Sequence, residues 1–435
     1  MMTQINFTHE HNCLAAARRF DQTDELAGFR SEFTFPTNSE GERLLYFAGH
    51  SLGLMPKRAR EALNAECDAW GRYAVRGHFK AEQPWRRSHT FVASSLARIV
   101  GAQSDEVVAM NTLTVNLHLM LVSFYRPTQQ RYKIIIENNA FPSDQYAVDS
   151  QARYHGFDPA GAIVELRPQP GQLALTEEDV LEQIEAVGDE LALVMLGNCN
   201  YLSGQCFDMR AITKLGHKLG AMVGFNLAHG AGNILLDLHD ANVDFAVWCC
   251  YKFLNAGPGG VAAAFVHARH HGRDDIPRFE GWWGTKEQDR FKMRRRIDRI
   301  PTAEAWVLSN PPVFQMAALR ASLELFDAAT MARLRHKSAM LTCYLEWLLK
   351  ENAGDFAEVV TPPHSTQKQT RGCTLSLRFR KDPRGMLQVL SDNGAVTDFR
   401  EPDIIRVAPI PLYNSFEDVY RFSEIVSKHC DDKLL

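Results

Sequence analysis

Short apolar runs alternate with helix-like segments through the middle of this 435-residue chain, and this alternation constrains its fold more than any other feature. Most of the runs are separated by segments with helical periodicity, such as 176–184 and 209–219. The runs, each of strand length, span 132–136, 191–196, 221–225, 244–250 and 260–266. The pattern predicts an α/β fold whose sheet is mostly parallel and covered on both faces.

The character of the chain changes after about residue 305, where Pro311 and Pro312 interrupt it. The later elements are helical patterns at 316–326, 331–350 and 415–429 and strand-like segments at 374–379 and 404–408. We therefore predict a large domain over 91–305 and a smaller α+β C-terminal domain over 306–435. The first 90 residues are mixed in character, and we expect the segment 1–90 to pack on the two domains.

Composition excludes several classes of function. The chain is 45% hydrophobic and 23% charged, with a formal net charge of -4, which gives no electrostatic reason to expect nucleic acid or a membrane surface as partner. No apolar run approaches the roughly 20 residues that span a bilayer, and the first residues lack a secretory pattern. The 9 scattered cysteines are typical of a reduced chain, so we expect a cytoplasmic protein.

Lys252 stands just after the apolar run 244–250 and just before the glycine-rich turn 257–260. Ligands of α/β sheets bind at the carboxyl ends of strands, where this lysine falls. Partial burial there lowers the pKa of an ammonium group and gives a neutral, nucleophilic amine. The pattern fits a Schiff base with a carbonyl cofactor, and a surface lysine at a strand end is the alternative interpretation.

Two other segments can bind parts of a planar, phosphorylated ligand. The segment 111–118 reads as a turn entering a helix, whose free N–H groups, with the Thr114 hydroxyl, suit a phosphate. Phe141 and Asp144 follow the run 132–136, where the ring can stack on a planar ligand and the carboxylate can hold a positive ring nitrogen. The alternatives are an ordinary capped helix and an aspartate in a turn.

Histidines give no metal-binding pattern. His229 follows Asn226 at the end of the run 221–225, where a hydrogen-bonded structural histidine is the usual occupant. The clusters at 9–11 and 267–271 lack the ligand spacing of a zinc site. We therefore predict no metal site and expect both clusters to be solvated loops.

Taken together, these segments resemble the kynureninase family of pyridoxal 5'-phosphate enzymes, which have fold type I. No segment is specific alone, but their order and spacing are, and they cover most of the chain. The matching segments are 46–54, 77–78, 84–85, 113–118, 141–144, 203–205, 227–229, 251–255, 281–284, 309–312 and 400–414. The resemblance implies that the large domain binds pyridoxal phosphate.

The resemblance also implies a role for each matching residue. Lys252 bonds covalently to the cofactor and moves protons at the substrate Cα, and Tyr251 relays a proton. Trp282 and Asn310 enter the site of the neighbouring subunit of a homodimer. The implied cofactor-binding residues are Leu113, Thr114, Phe141, Pro142, Ser143, Asp144, Asn226, His229, Tyr251, Lys252, Trp282 and Asn310. The implied substrate-binding residues are Ser51, His78, Asn310 and Arg406.

Three positions depart from the family pattern. His50 stands where the family usually has asparagine, Gly197 where it has serine, and Asn226 where it has aspartate. A carboxylate beside the pyridine nitrogen stabilises its protonated form, which is the better electron sink. Asn226 is neutral, so we expect it to slow catalysis.

The implied activity is hydrolysis of the Cβ–Cγ bond of L-kynurenine or 3-hydroxy-L-kynurenine to L-alanine and anthranilate or 3-hydroxyanthranilate. This places the chain in tryptophan catabolism, and we expect the hydroxylated substrate to be preferred. Two alternatives stay open. One is a divergent homologue with another pyridoxal-phosphate reaction on a related amino acid, and the other is an inactive binding or structural subunit.

Overall fold

The computed structural model describes residues 6–170, 172 and 174–434 of the chain. The helices of this described part are α1 Leu14–Thr23, α2 Lys57–Tyr73, α3 Gly77–Lys80, α4 Thr90–Val100, α5 Leu113–Phe124, α6 Pro142–Tyr154, α7 Pro159–Ala162, α8 Glu177–Val187, α9 Met209–Lys218, α10 Glu287–Arg290, α11 Val313–Ala329, α12 Met331–Ala353, α13 Pro383–Asp392 and α14 Phe416–Leu434. The strands are β1 Phe33–Thr34, β2 Leu45–Tyr46, β3 Met55–Pro56, β4 Val107–Ala109, β5 Lys133–Glu137, β6 Ile163–Leu166, β7 Leu191–Gly197, β8 Met222–Asn226, β9 Phe245–Cys249, β10 Ala262–Val266, β11 Glu358–Val359, β12 Leu375–Arg378, β13 Ala395–Val396, β14 Asp398–Arg400 and β15 Ile404–Val407.

A seven-stranded sheet with the order β4-β10-β9-β8-β7-β5-β6 forms the centre of the molecule. The strands β9, β8, β7, β5 and β6 are parallel, and the helices α6, α8 and α9 lie between them in sequence. The predicted α/β fold with a mostly parallel sheet is therefore confirmed. Helical crossovers explain the parallel order, since parallel neighbours need a connection long enough to return along the sheet.

The strand β10 runs antiparallel to both of its neighbours, β9 and β4. Its connection to β9 contains the glycine-rich turn and no helix. Such a short turn brings the chain back alongside the strand it has just left, which gives antiparallel pairing. The turn thus places residues 250–256 at one edge of the sheet, next to the ends of the parallel strands.

Two layers of apolar side chains cover the faces of this sheet. Ile135 and Val194 belong to one hydrophobic core, whereas Ile134 and Leu193 belong to the other. Successive side chains of a strand point to opposite faces, so strands buried on both sides are apolar throughout. This double burial is the physical reason for the unbroken apolar runs in the sequence.

A second, antiparallel sheet with the order β11-β12-β15-β14 lies in the C-terminal part. Its core includes residues of α12 and α14 and also Ala17 and Phe47 from the N-terminal segment. Leu26 and Leu54 instead join one core of the large sheet. The N-terminal segment therefore contributes to both cores, and β2 pairs with β13.

The helices of the described residues include none that is long and apolar enough to cross a membrane.

Candidate active site

A cavity of about 250 Å³ lies where the parallel strands end. The strands β8, β7 and β5 are neighbours, and their last residues, Asn226, Gly197 and Glu137, all line this cavity. The structure brings nine of the predicted site residues to its wall: Leu113, Thr114, Phe141, Ser143, Asp144, Asn226, His229, Tyr251 and Lys252.

Lys252 is held at the cavity by its backbone. The Gly53 N–H donates to the Tyr251 carbonyl over 2.9 Å. A Cβ atom on Gly53 would lie 2.4 Å from the Lys252 carbonyl oxygen, so this close approach requires glycine. Burial lowers the pKa of the Lys252 ammonium group, and nearby Arg406 acts in the same direction. This shift favours the neutral form that a nucleophile needs.

His229 is the nearest polar partner of this lysine. Its Nε2 lies 3.1 Å from Lys252 Nζ. Burial lowers the pKa of His229 well below its usual value, and the charge of Lys252 adds to the effect. The imidazole is therefore neutral at physiological pH and can accept a hydrogen bond from the lysine.

Asp144 and Asn226 form a buried pair on another side of the cavity. Asn226 Nδ2 donates to Asp144 Oδ1 over 2.9 Å and to Oδ2 over 2.8 Å. Asn226 Oδ1 accepts from the Ala228 N–H over 2.9 Å, which fixes the orientation of the amide. Burial raises the pKa of Asp144 to about 6, although the Asn226 hydrogen bonds and Lys252 oppose this. The amide therefore orients a carboxylate and favours its charged form.

The first turn of α5 offers free backbone donors to the same cavity. The helix begins at Leu113, and its cap Thr112 makes no side-chain capping hydrogen bond. Leu113 and Thr114 line the cavity, so N–H groups of this turn and the Thr114 hydroxyl are available to an anion. Tyr251 lines the cavity as well, and burial raises the pKa of its hydroxyl to about 12.

Phe141 supplies an aromatic face. Its ring is 41% exposed, and Lys252 Nζ lies 5.8 Å from its centroid. Pro142 occupies the first turn of α6 directly after it, is exposed and does not line the cavity. The proline instead suits the start of the helix, where its missing N–H has no partner to lose.

Arg406 is buried on β15 and held by several acceptors. Its Nη2 lies 2.8 Å from Asp398 Oδ1, and its Nη1 donates to the Tyr201 carbonyl over 2.7 Å. Ser51 Oγ donates to the other oxygen of Asp398 over 2.5 Å. Burial acts to raise the pKa of Asp398, but the charge of Arg406 and the Ser51 hydrogen bond outweigh it and lower that pKa. Asp398 thus connects Arg406 with Ser51. These two predicted substrate-binding residues lie beside the cavity rather than in its wall.

Besides Pro142, Ser51 and Arg406, three more predicted residues do not line the cavity of the same chain. Trp282 is 43% exposed, and its Nε1 donates to the Arg290 carbonyl over 2.9 Å. Asn310 is exposed ahead of α11. His78 is half-buried with its ring edge on Trp85, at 5.6 Å between centroids.

Sequence reasoning missed several residues of this region. Glu137, Cys199 and Tyr201 line the cavity, and Asp398 orients Arg406. The sequence could have indicated Glu137, because it directly follows an apolar strand run, as Asn226 does. It could not have indicated Asp398, since only folding brings that residue next to Arg406.

The two other departures from the family pattern also lie here. His50 is fully buried, and its ring lies 6.4 Å from that of His229. Neither of its ring nitrogens has a hydrogen-bond partner among the residues that the structure describes. Gly197 donates its N–H to Glu137 Oε2 over 2.7 Å, and a Cβ atom there would lie 2.9 Å from Glu137 Oε1.

This donor set fits pyridoxal phosphate. A desolvated lysine can bond to its aldehyde, and the first turn of α5 can bind its phosphate. The ring of Phe141 offers a stacking face, and Asp144 a carboxylate for the pyridine nitrogen. Each of these groups lies on the wall of one cavity, so a single molecule can reach all of them.

The expectation of solvated histidines at 267–271 is wrong. His270 is 2% exposed, and its Nε2 lies 2.8 Å from Asp244 Oδ1. His267 lies near Glu106 and His239, and ligand atoms of the three fall within 4.8 Å of one another. Their hydrogen bonds to one another and to backbone N–H groups account for this cluster as a structural one.

The fold is also found in solved structures of other proteins. The cysteine desulfurase CsdA from Escherichia coli aligns with a TM-score of 0.75 and 18% identity, covering 94% of this chain and 99% of that protein. The cystine C-S lyase C-DES with its product cysteine persulfide aligns with a TM-score of 0.74 and 18% identity, covering 88% of this chain and 97% of that protein. Fold and site together define a pyridoxal-phosphate enzyme of fold type I.

Sequence comparison identifies the family within this class of enzymes. The chain is 56% identical to the kynureninase of Myxococcus xanthus over 413 residues, which are 95% of this chain and 96% of that protein. It is 49% identical to the kynureninase of Flavobacterium psychrophilum over 96% of this chain and 98% of that protein. The model of the kynureninase C-terminal domain matches residues 334–426. The chain belongs to the kynureninase family, as the sequence pattern indicated.

Proposed function

We propose that the chain hydrolyses the Cβ–Cγ bond of L-kynurenine or 3-hydroxy-L-kynurenine, giving L-alanine and the corresponding anthranilate. The observation that carries this proposal is the convergence of Lys252, Asp144 and the first turn of α5 on one cavity, in a chain of the kynureninase family. The chain is thus a hydrolase of carbon–carbon bonds, and its cofactor is pyridoxal phosphate.

Pyridoxal phosphate supplies the electron sink for a carbanion at the substrate Cα. The protein supplies orientation and proton transfer around it. Lys252 Nζ is desolvated and therefore suited to take a proton from the substrate Cα. His229, which is neutral and 3.1 Å away, keeps the amine oriented without adding charge.

Tyr251 is the proton donor for the carbon that loses its acyl group. Burial keeps the pKa of this phenol near 12, so the hydroxyl stays protonated at neutral pH. It lies on the cavity wall beside Lys252 and can pass a proton to the substrate Cβ.

Arg406 binds the substrate α-carboxylate in this proposal. Asp398 binds Nε and Nη2, Ser51 Oγ lies 3.4 Å from Nη2, and the Tyr201 carbonyl takes one N–H of Nη1. The second N–H of Nη1 is therefore the group left for a substrate carboxylate. Ser51 shares Asp398 and so lies next to this subsite. His78 and Asn310 remain proposed contacts to the aromatic part of the substrate.

A turnover assay of the pyridoxal-phosphate-loaded protein tests the function. Alanine and anthranilate, in equal amounts, are the expected products from kynurenine, and we expect a higher kcat/KM for the hydroxylated substrate because a site that bonds a hydroxyl discriminates against its absence. Loading without either product would favour the divergent homologue, and failure to load would favour the inactive subunit.

Arg406→Lys is expected to raise KM by about 10- to 150-fold, because a charge-assisted hydrogen bond of roughly 1.5–3 kcal/mol is lost with the planar guanidinium. Loading of the cofactor should not change. The measurement is steady-state kinetics, with Arg400→Lys as matched control, since Arg400 binds the same Asp398 but is more exposed. A KM as in the wild type would remove Arg406 from the substrate site.

We also propose a homodimer with shared active sites, because exposed aromatic side chains lie next to Trp282, one of the two residues expected to cross over. Phe291 is 58% exposed, and its ring lies 5.6 Å from that of Trp282 and 6.5 Å from that of Phe79. Exposed aromatic clusters of this kind are typical of protein interfaces.

Sedimentation is expected to give twice the chain mass of 49.1 kDa. Phe291→Glu should shift the population to monomers and lower kcat at least tenfold, because burying a charge at an interface costs several kcal/mol. Tyr154→Glu, at another exposed aromatic, is the matched control and should stay dimeric. An active monomer would contradict shared sites.

A reducing compartment such as the cytoplasm is proposed for the chain. The proposal rests on the 9 cysteines of the chain, which are odd in number, scattered and without a Cys-x-x-Cys pair.

A further inference from the structure

Glu137 is a buried carboxyl group on the cavity wall that takes part in no step of the proposed reaction. It is the last residue of β5, is 4% exposed and lines the cavity together with Asp144. Within the described part of the chain, no cation lies within ion-pair distance of it. Burying an ionised carboxylate without a cation costs free energy, so such a group is usually protonated unless a ligand supplies the positive charge.

Two neighbours fix the direction of this side chain. The Gly197 N–H donates to Glu137 Oε2 over 2.7 Å, and Asn200 Nδ2 donates to Oε1 over 3.3 Å. A Cβ atom at residue 197 would lie 2.9 Å from Oε1, closer than such atoms approach one another. Glycine at this position therefore leaves the space that the Glu137 carboxyl group occupies.

Glu137 and Asp144 influence each other's charge. Burial and the nearby Asp144 raise the pKa of Glu137, the Gly197 N–H and Asn200 oppose them, and the result is a pKa of about 8. Lys252 acts on Asp144 rather than on Glu137. Two carboxyl groups in one buried site do not both ionise readily, so at neutral pH Asp144 is the charged member and Glu137 holds the proton.

We propose that Glu137 is a positioning residue for the ring nitrogen of the cofactor, acting together with Asp144. When a positive pyridinium ring lies beside Asp144, Glu137 releases its proton to solvent, and the two carboxylates together hold the proton on the ring nitrogen. The inference rests on the proposed function, because it needs pyridoxal phosphate in this cavity.

The neutral Asn226 makes such a second carboxylate useful. Its Nδ2 lies within hydrogen-bond distance of both Asp144 oxygens and its oxygen accepts from the Ala228 N–H, and a neutral amide offers no charge to a ring nitrogen. An opposite charge within a few ångströms favours the protonated ring by about one to three pKa units. Glu137 is the other carboxyl group on the wall of this cavity, and glycine at residue 197 lets it stay there.

The test follows the ring proton itself. Pyridoxal phosphate labelled with ¹⁵N in the ring is loaded onto the protein, and the ¹⁵N chemical shift is followed by solid-state NMR between about pH 6 and 9.5. In Glu137→Gln we expect the midpoint of ring deprotonation to fall by about one pH unit, a tenfold loss of proton affinity. Glu182→Gln, at an exposed glutamate on α8, is the matched control and should keep the wild-type midpoint.

If the Glu137→Gln variant does not fold, the midpoint of ring deprotonation is measured in Gly197→Ala instead. This substitution alters no titratable group, but its methyl group displaces the Glu137 carboxyl group from the backbone donor, so the midpoint should fall here too. Normal loading with unchanged midpoints would overturn the inference and leave the proposed function standing. A wild-type chain that does not take up the labelled cofactor would overturn both.

Discussion

Lys252→Ala is expected to abolish the covalent bond to the cofactor and to lower kcat by at least about a thousandfold, because nucleophile and proton carrier are lost together. The lysine is desolvated, contacts neutral His229 over 3.1 Å and points at the aromatic face of Phe141. The other residues of the cavity wall would remain, so noncovalent binding of the cofactor should persist at reduced affinity.

Borohydride reduction followed by peptide mapping measures this result directly. In the wild type the added pyridoxyl mass should fall on the peptide that contains Lys252, and in the alanine variant it should disappear. Lys218→Ala is the matched control, since this exposed lysine pairs with Glu185 away from the cavity and should leave labelling and turnover unchanged. A label on another lysine of the wild type would overturn the assignment.

Asn226→Asp is expected to increase turnover by about 30- to 1000-fold, the rate equivalent of roughly 2–4 kcal/mol of added charge stabilisation at the ring nitrogen. The new carboxylate would replace an amide that now lies 2.8 Å from Asp144 Oδ2. The two carboxyl groups would compete for protons, so much of the gain depends on the positive ring between them. The measurement is kcat with kynurenine on the fully loaded variant.

A double variant shows whether the position of the carboxylate or the number of carboxylates beside the ring nitrogen limits the rate. Asp144→Asn combined with Asn226→Asp exchanges carboxylate and amide across the same hydrogen bonds and keeps the net charge. If the position of the carboxylate limits the rate, the exchanged pair should be faster than the wild type. If Asn226→Asp alone brings no increase, Asn226 does not limit catalysis, and the difference from relatives must be sought at His50 or Gly197.

Local sequence patterns predicted the large sheet well, because the burial of each strand on both faces is visible as an apolar run in its own sequence. The runs at 191–196 and 244–250 correspond to β7 and β9 within a residue or two, and the end of β9 placed Lys252 beside a ligand site. An apolar strand needs cover on both faces wherever it lies in the sheet, so its pattern is visible without its neighbours.

Contacts between distant segments were not visible in the same way. His270 looked like a loop residue, yet folding buries it against Asp244. Glu137 reaches Gly197 over 60 positions of sequence, and Ser51 reaches Asp398 over 347. Nothing local distinguishes a polar residue that meets such a partner from one that meets water.

The sequence by itself determined the α/β class, the family and the lysine on which the chemistry depends, because these rest on periodicity and on motifs in a fixed order. Only the tertiary structure decided which charges meet. It turned Asn226 towards Asp144, set Asp398 against Arg406 and brought Glu137 into the cavity. The physical reason is that desolvation and pairing set the pKa of a buried group, and both depend on neighbours that only folding supplies.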